Sequence, residues 1–273
     1  MSFKGWIIDR FILRNPRLRR WLTLLRDGNG DRDVLLFHTP VRINSLFENG
    51  YLRAARLGAT SSFHNDESPV LMSLASILPF ADAFVDAGAN VGAISKILHR
   101  LVSLHPISEF HAIEADPLTA ARLRITLAGT SVQVHNVALA ESDGRLRFVR
   151  GAVSHVSTRE DLASSCHVDN GFEIDSARLD SLPIQGRRIV IKIDVEGQEL
   201  AVLRSAEKLF REKRVLAVYL DGHGDSLVIA AQLREHGFTL FDGRTLAPTP
   251  GYSAYSLLAV QLPLSSGRSP FST

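Results

Sequence analysis

The chain is poor in the features that mark secreted and membrane-spanning proteins. Cys166 is its single cysteine among 273 residues, so a disulfide framework is excluded and a reducing compartment is favoured. Its apolar runs fall short of the ~20 consecutive residues that a bilayer-spanning helix needs. Arginines interrupt the apolar residues near the N-terminus, so we expect no signal peptide and a cytoplasmic location.

The chain also has little excess of either positive or negative charge over most of its length. The 31 basic and 29 acidic side chains leave a net charge of +2. Residues 1–26 hold seven basic side chains and one acidic side chain, a net +6, which leaves −4 for the remainder. Because nucleic-acid binding needs a cationic surface on the working domain, we expect no nucleic-acid partner.

Residues 1–30 are predicted to form a basic amphipathic segment, and residues 31–79 a lead-in or cap region before the main domain. The apolar residues with helical spacing in the segment are Phe3, Ile7, Phe11, Leu18, Leu22 and Leu25. Two interpretations stay open for the segment. Pro16 interrupts the apolar stripe, which favours packing of the stripe on the domain with the arginines in solvent. Trp6 and Trp21 instead favour a peripheral helix on the anionic inner face of a membrane.

Residues 80–263 alternate between strand-like and helix-like patterns. Predicted strands lie at 83–88, 110–115, 132–139, 187–195 and 214–222, and a final antiparallel pair lies at 238–243 and 255–263. Predicted helices follow the first, second, fourth and fifth strands. Short apolar strands that alternate with helices form a parallel sheet covered on both faces. We therefore predict an α/β domain with a doubly wound, mostly parallel seven-stranded sheet, an antiparallel last strand and a disordered tail at 264–273.

The first predicted strand ends in the segment DAGANVG, residues 86–92. Ligands of such sheets bind beyond the carboxyl ends of the strands, where the strand order reverses. Gly88 permits a tight turn, and Gly92 opens the next helix, whose free amides favour electronegative groups. The spacing differs from GxGxxG, and Asp86 would repel a pyrophosphate. The segment suits a cationic ligand such as S-adenosylmethionine, although an ordinary tight turn would use the same glycines.

The next two strand ends offer groups that could bind a nucleoside. The Glu114 carboxylate can accept both ribose hydroxyls in a bidentate manner, as nicotinamide-binding folds also do. Asn136, Val137 and Ala138 could flank an adenine and read its edge with backbone or amide groups. A solvated acid at a strand end and a plain loop are the respective alternatives.

The fourth strand ends in IDVEGQE, residues 193–199, which holds three carboxylates. Because burial of a charge is costly, such groups lie at a solvent-facing or ligand-facing end. Asp194 and Glu196 could position a substrate hydroxyl, act as a base or hold a divalent cation such as magnesium, and we predict no metal site. Glu199 falls in the first turn of the next helix, where the helix dipole favours it.

Together the strings VDAGANVG, AIEADP, VALAESDGRLRF, LDSLP and IKIDVEGQEL resemble the FkbM-type methyltransferase family over residues 66–242. The resemblance implies a class I methyltransferase fold that uses S-adenosylmethionine, most often for O-methylation of sugars, polyketides and other secondary or cell-surface metabolites. It also implies that Asp194 and Glu196 lie beside the transferred methyl group. The predicted cofactor-binding residues are Asp86, Ala87, Gly88, Asn90, Gly92, Glu114, Ala115, Asn136, Ala138 and Asp194.

The family also often carries an acid, one further residue and a histidine after the fifth strand, matched here by Asp221, Gly222 and His223. We therefore expect O-methyl transfer to a hydroxyl of a sugar, glycan precursor or secondary metabolite, with Asp194, Glu196 and His223 as catalytic residues. Asp194 and His223 remain rival bases. A nicotinamide-dependent oxidoreductase and a non-catalytic metabolite-binding module remain alternatives, and the acid in DAGANVG opposes the first of these.

Overall fold

The computed structural model describes residues 16–102, 107–149, 155–156, 171–221, 226–249 and 256–264. The chain divides between Glu67 and Ser68 into two compact units. The predicted tail lies outside the described residues, apart from its first residue. In the part of the chain that the structure describes, no helix is long and apolar enough to cross a membrane.

The N-terminal unit contains helices and a β-hairpin. Its elements are α1 (Pro16–Asp27), β1 (Asp31–Leu36), β2 (Thr39–Asn44), α2 (Asn49–Leu57) and the start of α3 (Ser62–Ile77). Helix α1 begins at Pro16, a position where the amide that proline lacks would have no helical partner. Strands β1 and β2 pair antiparallel, and Leu36, Val41 and Ile43 are fully buried.

The second unit contains the remaining strands and helices. In chain order the strands are β3 (Ala83–Ala87), β4 (Glu109–Ile113), β5 (Gln133–His135), β6 (Ala138–Leu139), β7 (Gly144–Val149), β8 (His155–Val156), β9 (Gly171–Ala177), β10 (Ile189–Ile193), β11 (Val215–Asp221), β12 (Thr239–Asp242) and β13 (Ser256–Val260). The helices are α4 (Ala93–Leu101), α5 (Pro117–Thr126), α6 (Glu199–Ser205), α7 (Glu207–Arg211) and α8 (Ser226–Glu235). Single turns of 3₁₀ helix lie at Leu78–Phe80 and Leu179–Ser181 in this unit, and at Gly58–Thr60 in the N-terminal one.

A seven-stranded sheet of order β12-β13-β11-β10-β3-β4-β5 forms the centre of this unit. Neighbouring strands from β11 to β5 run parallel, and β13 runs antiparallel to both β11 and β12. Every residue of β3 and of β10 is buried. The α/β fold, the mostly parallel seven-stranded sheet and the antiparallel last strand are therefore confirmed.

The strand order reverses between β3 and β10. The chain moves from β3 outward to β4 and β5, and later returns to β10 on the other side of β3. The carboxyl ends of β3 and β10 touch, because the backbone amide of Asp194 donates to the carbonyl oxygen of Ala87 at 3.0 Å. Open α/β sheets bind their ligands at such a reversal, so this edge is where a site is expected.

A second sheet, of order β6-β9-β7-β8, corrects part of the predicted strand pattern. The single strand predicted over 132–139 is broken, with β5 in the central sheet and β6 in the second one. Strand β7 lies within the hairpin-like segment 144–150, and its antiparallel partner β9 had no predicted counterpart. The break lets residues 136–137 leave the central sheet beside the predicted site.

Candidate functional site

The turn after β3 is built so that only glycine fits at its first position. Gly88 has a φ of +81°, and a Cβ there would lie 1.9 Å from the carbonyl oxygen of Asp194. The amides of Gly88 and Ala89 both donate to the carbonyl of Ile113, at 3.0 and 2.9 Å. The turn is thus fixed between the end of β4 and the segment that leaves β10.

The rest of the turn leads into α4. Asn90 is exposed and has a φ of +52°, and its backbone amide donates to the carboxylate of Glu114, the residue after β4. Gly92 also has a positive φ, and a Cβ there would lie 2.5 Å from Cδ1 of Leu123 on α5. Gly92 therefore lets α4 begin close against α5, which is a packing role.

Glu114 follows β4 and faces this turn. Its Oε2 accepts the amide of Asn90 at 3.0 Å, and its Oε1 accepts the amide of Asp116 at 2.9 Å. Loss of hydration raises the pKa of Glu114 to about 7, although the two amides favour the charged form. Each carboxylate oxygen has a second lone pair, so the group can still accept two hydroxyl donors.

In the segment after β5, Asn136 and Ala138 have positions that differ from the adenine contacts predicted for them. The Asn136 side-chain amide donates to the carbonyls of Glu114 and Ala115, at 2.8 and 3.0 Å, and thereby fixes the backbone after β4. Ala138 is 2% exposed and packs with Phe148 and Ile174. Asn136 thus shapes the site through its amide. The prediction that Ala138 flanks an adenine has no geometric support, because Ala138 lies in the interior.

A buried lysine joins the two strands that form the reversal point. Lys192 Nζ lies 3.3 Å from Oδ1 of Asp86 and 3.2 Å from Oδ2 of Asp194. The side chains of Lys192 and Asp86 are 4% and 1% exposed, whereas that of Asp194 is 39% exposed. Ser95 Oγ donates to the other oxygen of Asp86 at 2.7 Å. The lysine thus connects an interior carboxylate to one at the surface of the site.

This arrangement corrects the role expected of Asp86. We predicted that its carboxylate faces a cationic ligand, but the structure places it in the interior between Lys192 and Ser95. Sequence reasoning missed Lys192. The available signal was a single charge in the apolar strand Ile189–Ile193, because a charge is buried only when it is paired.

The loop after β10 leaves Asp194 and Glu196 accessible and uses a third acidic side chain for its own structure. Glu199 is 3% exposed, and its Oε1 accepts the amide of Gly197 at 2.9 Å, which fits the structural role that its position indicated. Glu196 is exposed and has a φ of +49°. Partial desolvation, together with repulsion from Asp194 and Glu199, raises the pKa of Glu196. Asp194 and Glu196 are therefore the carboxylates available to a ligand.

The structure brings most of the remaining predicted residues to the same edge. Ala87 ends β3 and contributes its carbonyl, which accepts the amide of Asp194. Asp221 ends β11, the neighbour of β10. His223 lies outside the described residues. Among the described residues, no group of three or more histidine, cysteine, aspartate or glutamate side chains is arranged to hold a metal ion.

Comparison with known proteins defines the family. The model of the methyltransferase FkbM domain matches residues 86–240, more than half of the chain. The chain therefore belongs to the FkbM methyltransferase family, a class of S-adenosylmethionine-dependent enzymes, as its motifs indicated. No functionally curated protein matches it significantly.

Several solved structures are similar to this chain at low sequence identity. Methyltransferase FkbM from Methylobacillus flagellatus KT is 17% identical, with a TM-score of 0.42, over 66% of this chain and 44% of that one. The chain thus spans less than half the length of that protein. An O-methyltransferase from Bacillus cereus, in complex with SAH, is 14% identical with a TM-score of 0.40, over 80% and 92% of the two chains. TomG from Streptomyces achromogenes, an O-methyltransferase in complex with SAM, is 16% identical with a TM-score of 0.39, over 81% and 92%.

Proposed function

We propose that the protein transfers the methyl group of S-adenosylmethionine to a hydroxyl oxygen of a sugar, glycan precursor or secondary metabolite in the cytoplasm. The observation that carries the proposal is the Asp194 carboxylate, held by buried Lys192 beside the glycine turn at the reversal point of the sheet. Membership of the FkbM family supports the donor, and the oxygen acceptor is our inference from the available carboxylates.

The residues at this edge fit S-adenosylmethionine. The absence of a Cβ at Gly88 lets the backbone of Asp194 come directly against the turn, which places the Asp194 carboxylate beside it. Glu114 is fixed by two amides and retains acceptor capacity for the ribose hydroxyls. Asp86 acts indirectly, because its buried carboxylate holds Lys192 rather than the donor itself. When bound, the donor supplies a methyl group already activated by its sulfonium.

The protein's own part of the reaction is to align the acceptor and take up its proton. Alignment of two bound reactants can supply most of the rate enhancement of such a transfer. Asp194 is partly exposed and can accept a hydrogen bond from the acceptor hydroxyl, while Lys192 fixes its other side. A base within hydrogen-bond reach adds about 10²–10⁴ in rate. We propose Asp194 as that base or as the partner that orients His223, with Glu196 as a further contact to the acceptor.

The proposal is tested by incubating the full chain with S-adenosylmethionine carrying a labelled methyl group and an extract of small metabolites and glycan precursors. Mass spectrometry should find label in an O-methyl ether, and the Asp194→Asn variant should produce far less of it. Label on nitrogen or carbon would contradict the proposed acceptor. Binding of the donor without transfer to any compound would favour a non-catalytic module, and tight binding of a nicotinamide cofactor would favour an oxidoreductase.

A further inference from the structure

Helix α1 of the N-terminal unit exposes its apolar side chains. Leu18, Trp21 and Leu25 recur at spacings of three and four residues, which places them on one helical face. They are 37%, 55% and 65% exposed, and the adjacent Leu24 is 47% exposed. Single exposed apolar residues are ordinary on protein surfaces, but several on one face form a patch that marks an interaction surface.

The opposite face of the same helix contacts the unit through Arg20 and Asp27. The Arg20 guanidinium lies 5.6 Å from the ring centroid of Phe47. Asp27, seven residues further along the same face, accepts a hydrogen bond from Nη1 of Arg56 at 3.1 Å, and its backbone carbonyl accepts one from Arg32. A surface helix normally buries its apolar face and exposes its polar one. On α1, by contrast, Trp21, Leu24 and Leu25 are exposed, so an apolar partner would stabilise this face of the helix.

The charge of the segment identifies that partner. Residues 1–26 carry a net +6, and Arg26 is exposed next to the apolar face. Arginines beside a tryptophan and leucines suit the boundary between anionic lipid headgroups and acyl chains. A second copy of the chain would bring a second +6 against the first, and the two would repel each other.

We propose that helix α1 binds the surface of an anionic lipid bilayer, with Leu18, Trp21 and Leu25 in the headgroup boundary. The 12 residues of α1 span about 18 Å, enough to lie in the plane of the membrane but too short to cross it. Part of the attraction is electrostatic, so the contact weakens as salt screens it. The binding does not depend on the proposed catalytic activity.

The first test is sedimentation of the full chain with phosphatidylcholine vesicles, prepared with and without phosphatidylglycerol. The protein should pellet with the anionic vesicles, remain in the supernatant with the neutral ones, and be released as sodium chloride rises. The double variant Trp21→Ser/Leu25→Ser should bind the anionic vesicles about tenfold or more weakly, because it removes two apolar groups from the contact. Ile125→Ser is the matched control, since Ile125 on α5 is 51% exposed and lies outside the proposed surface.

A second readout locates the contact on the helix. The chain has two tryptophans, so the Trp6→Phe variant leaves Trp21 as its single tryptophan. Its emission should shift to shorter wavelength with anionic vesicles and be quenched by brominated acyl chains. Unchanged emission, or equal vesicle binding by Trp21→Ser/Leu25→Ser and wild type, would overturn the proposal. A vesicle-free dimer in analytical ultracentrifugation that this double variant abolishes would also overturn it, because the face would then bind a second copy.

Discussion

Replacement of Lys192 by methionine tests the connection between the two strands of the site. Methionine has nearly the length of lysine without its charge, so the variant removes the ammonium group with little change in volume. Asp86 would then be a carboxylate with 1% exposure and no counter-charge at 3.3 Å. Removal of one partner from a buried ion pair costs about 3–5 kcal/mol in the free energy of unfolding, because the remaining charge has lost both water and partner.

The two carboxylates should respond differently. Asp194 is 39% exposed and can regain water, so its contact with Lys192 should contribute about 1 kcal/mol or less to stability. Most of the cost of Lys192→Met should therefore come from Asp86. Asp86→Asn keeps an oxygen that can accept the hydrogen bond of Ser95 and removes the negative charge. The double variant Lys192→Met/Asp86→Asn should thus be more stable than Lys192→Met alone.

Urea unfolding of the wild type, the two single variants and the double variant measures this coupling. Enzyme assays on the same proteins should show a fall in kcat for Lys192→Met, because the Asp194 carboxylate is no longer held beside the turn. Two results would refute the reasoning: Lys192→Met as stable as the wild type, or a loss of stability that Asp86→Asn leaves unchanged.

Three further predictions address single residues of the same unit. Gly88→Ala should destabilise the fold by several kcal/mol, since its Cβ would lie 1.9 Å from the Asp194 carbonyl oxygen; an unchanged thermal midpoint would contradict this. Asp194→Asn should lower kcat about tenfold or more, while its affinity for S-adenosylmethionine, measured by calorimetry, should stay nearly unchanged. If wild-type activity were lost in EDTA and restored by magnesium, the carboxylates would form a metal site instead, and the assignment of Asp194 as a base would be wrong. Burial lowers the pKa of His111 and His135, whose ring nitrogens lie 3.0 Å apart, so these histidines bind protons more readily in the unfolded chain than in the folded one. The free energy of unfolding should therefore fall as pH drops below about 6.5. Urea titrations should show a smaller fall for His135→Gln than for the wild type.

The sequence was most informative where periodicity and motif coincide. Strands β3 and β10 are short apolar runs, and each is followed at once by the polar residues of the site. These patterns predict that Gly88 and Asp194 lie at the carboxyl edge of the sheet, and the structure has both of them there. Strand–helix alternation is a local signal, and it also predicted the antiparallel pair β12 and β13.

Other features depend on contacts between residues distant in sequence, and local patterns do not predict them. At the break between β5 and β6, the Asn136 side-chain amide donates to two carbonyls about twenty residues earlier in the chain. Strand β9 exposes alternate polar residues and pairs with β7 across a long segment, so its sequence resembles a loop. The interior position of Asp86 was missed for the same reason, because it depends on Lys192 of a different strand.

The N-terminal unit shows a further limit of pattern reading. The periodicity of α1 places Leu18, Leu22 and Leu25 on one helical face, of which Leu18 and Leu25 are exposed and Leu22 is half-buried. Packing of the stripe on the domain was the favoured interpretation, and it stays a prediction, because Phe3, Ile7 and Phe11 of the stripe lie outside the described residues. The spacing of apolar residues shows which of them share a helical face. The burial of that face depends on tertiary contacts, such as those of Arg20 with Phe47 and of Asp27 with Arg56.

The most direct test of the proposed donor site is a calorimetric titration of S-adenosylmethionine into the wild type and Glu114→Gln, at pH 6 and pH 8. Burial raises the pKa of Glu114 to about 7, so its carboxylate is mostly protonated at pH 6 and mostly charged at pH 8. Ribose hydroxyls donate to the charged form, so wild-type affinity should rise by up to about tenfold with pH. Glu114→Gln should bind about 1–3 kcal/mol more weakly at pH 8 and show no such rise. Equal affinity of the folded variant and the wild type at both pH values would contradict the account.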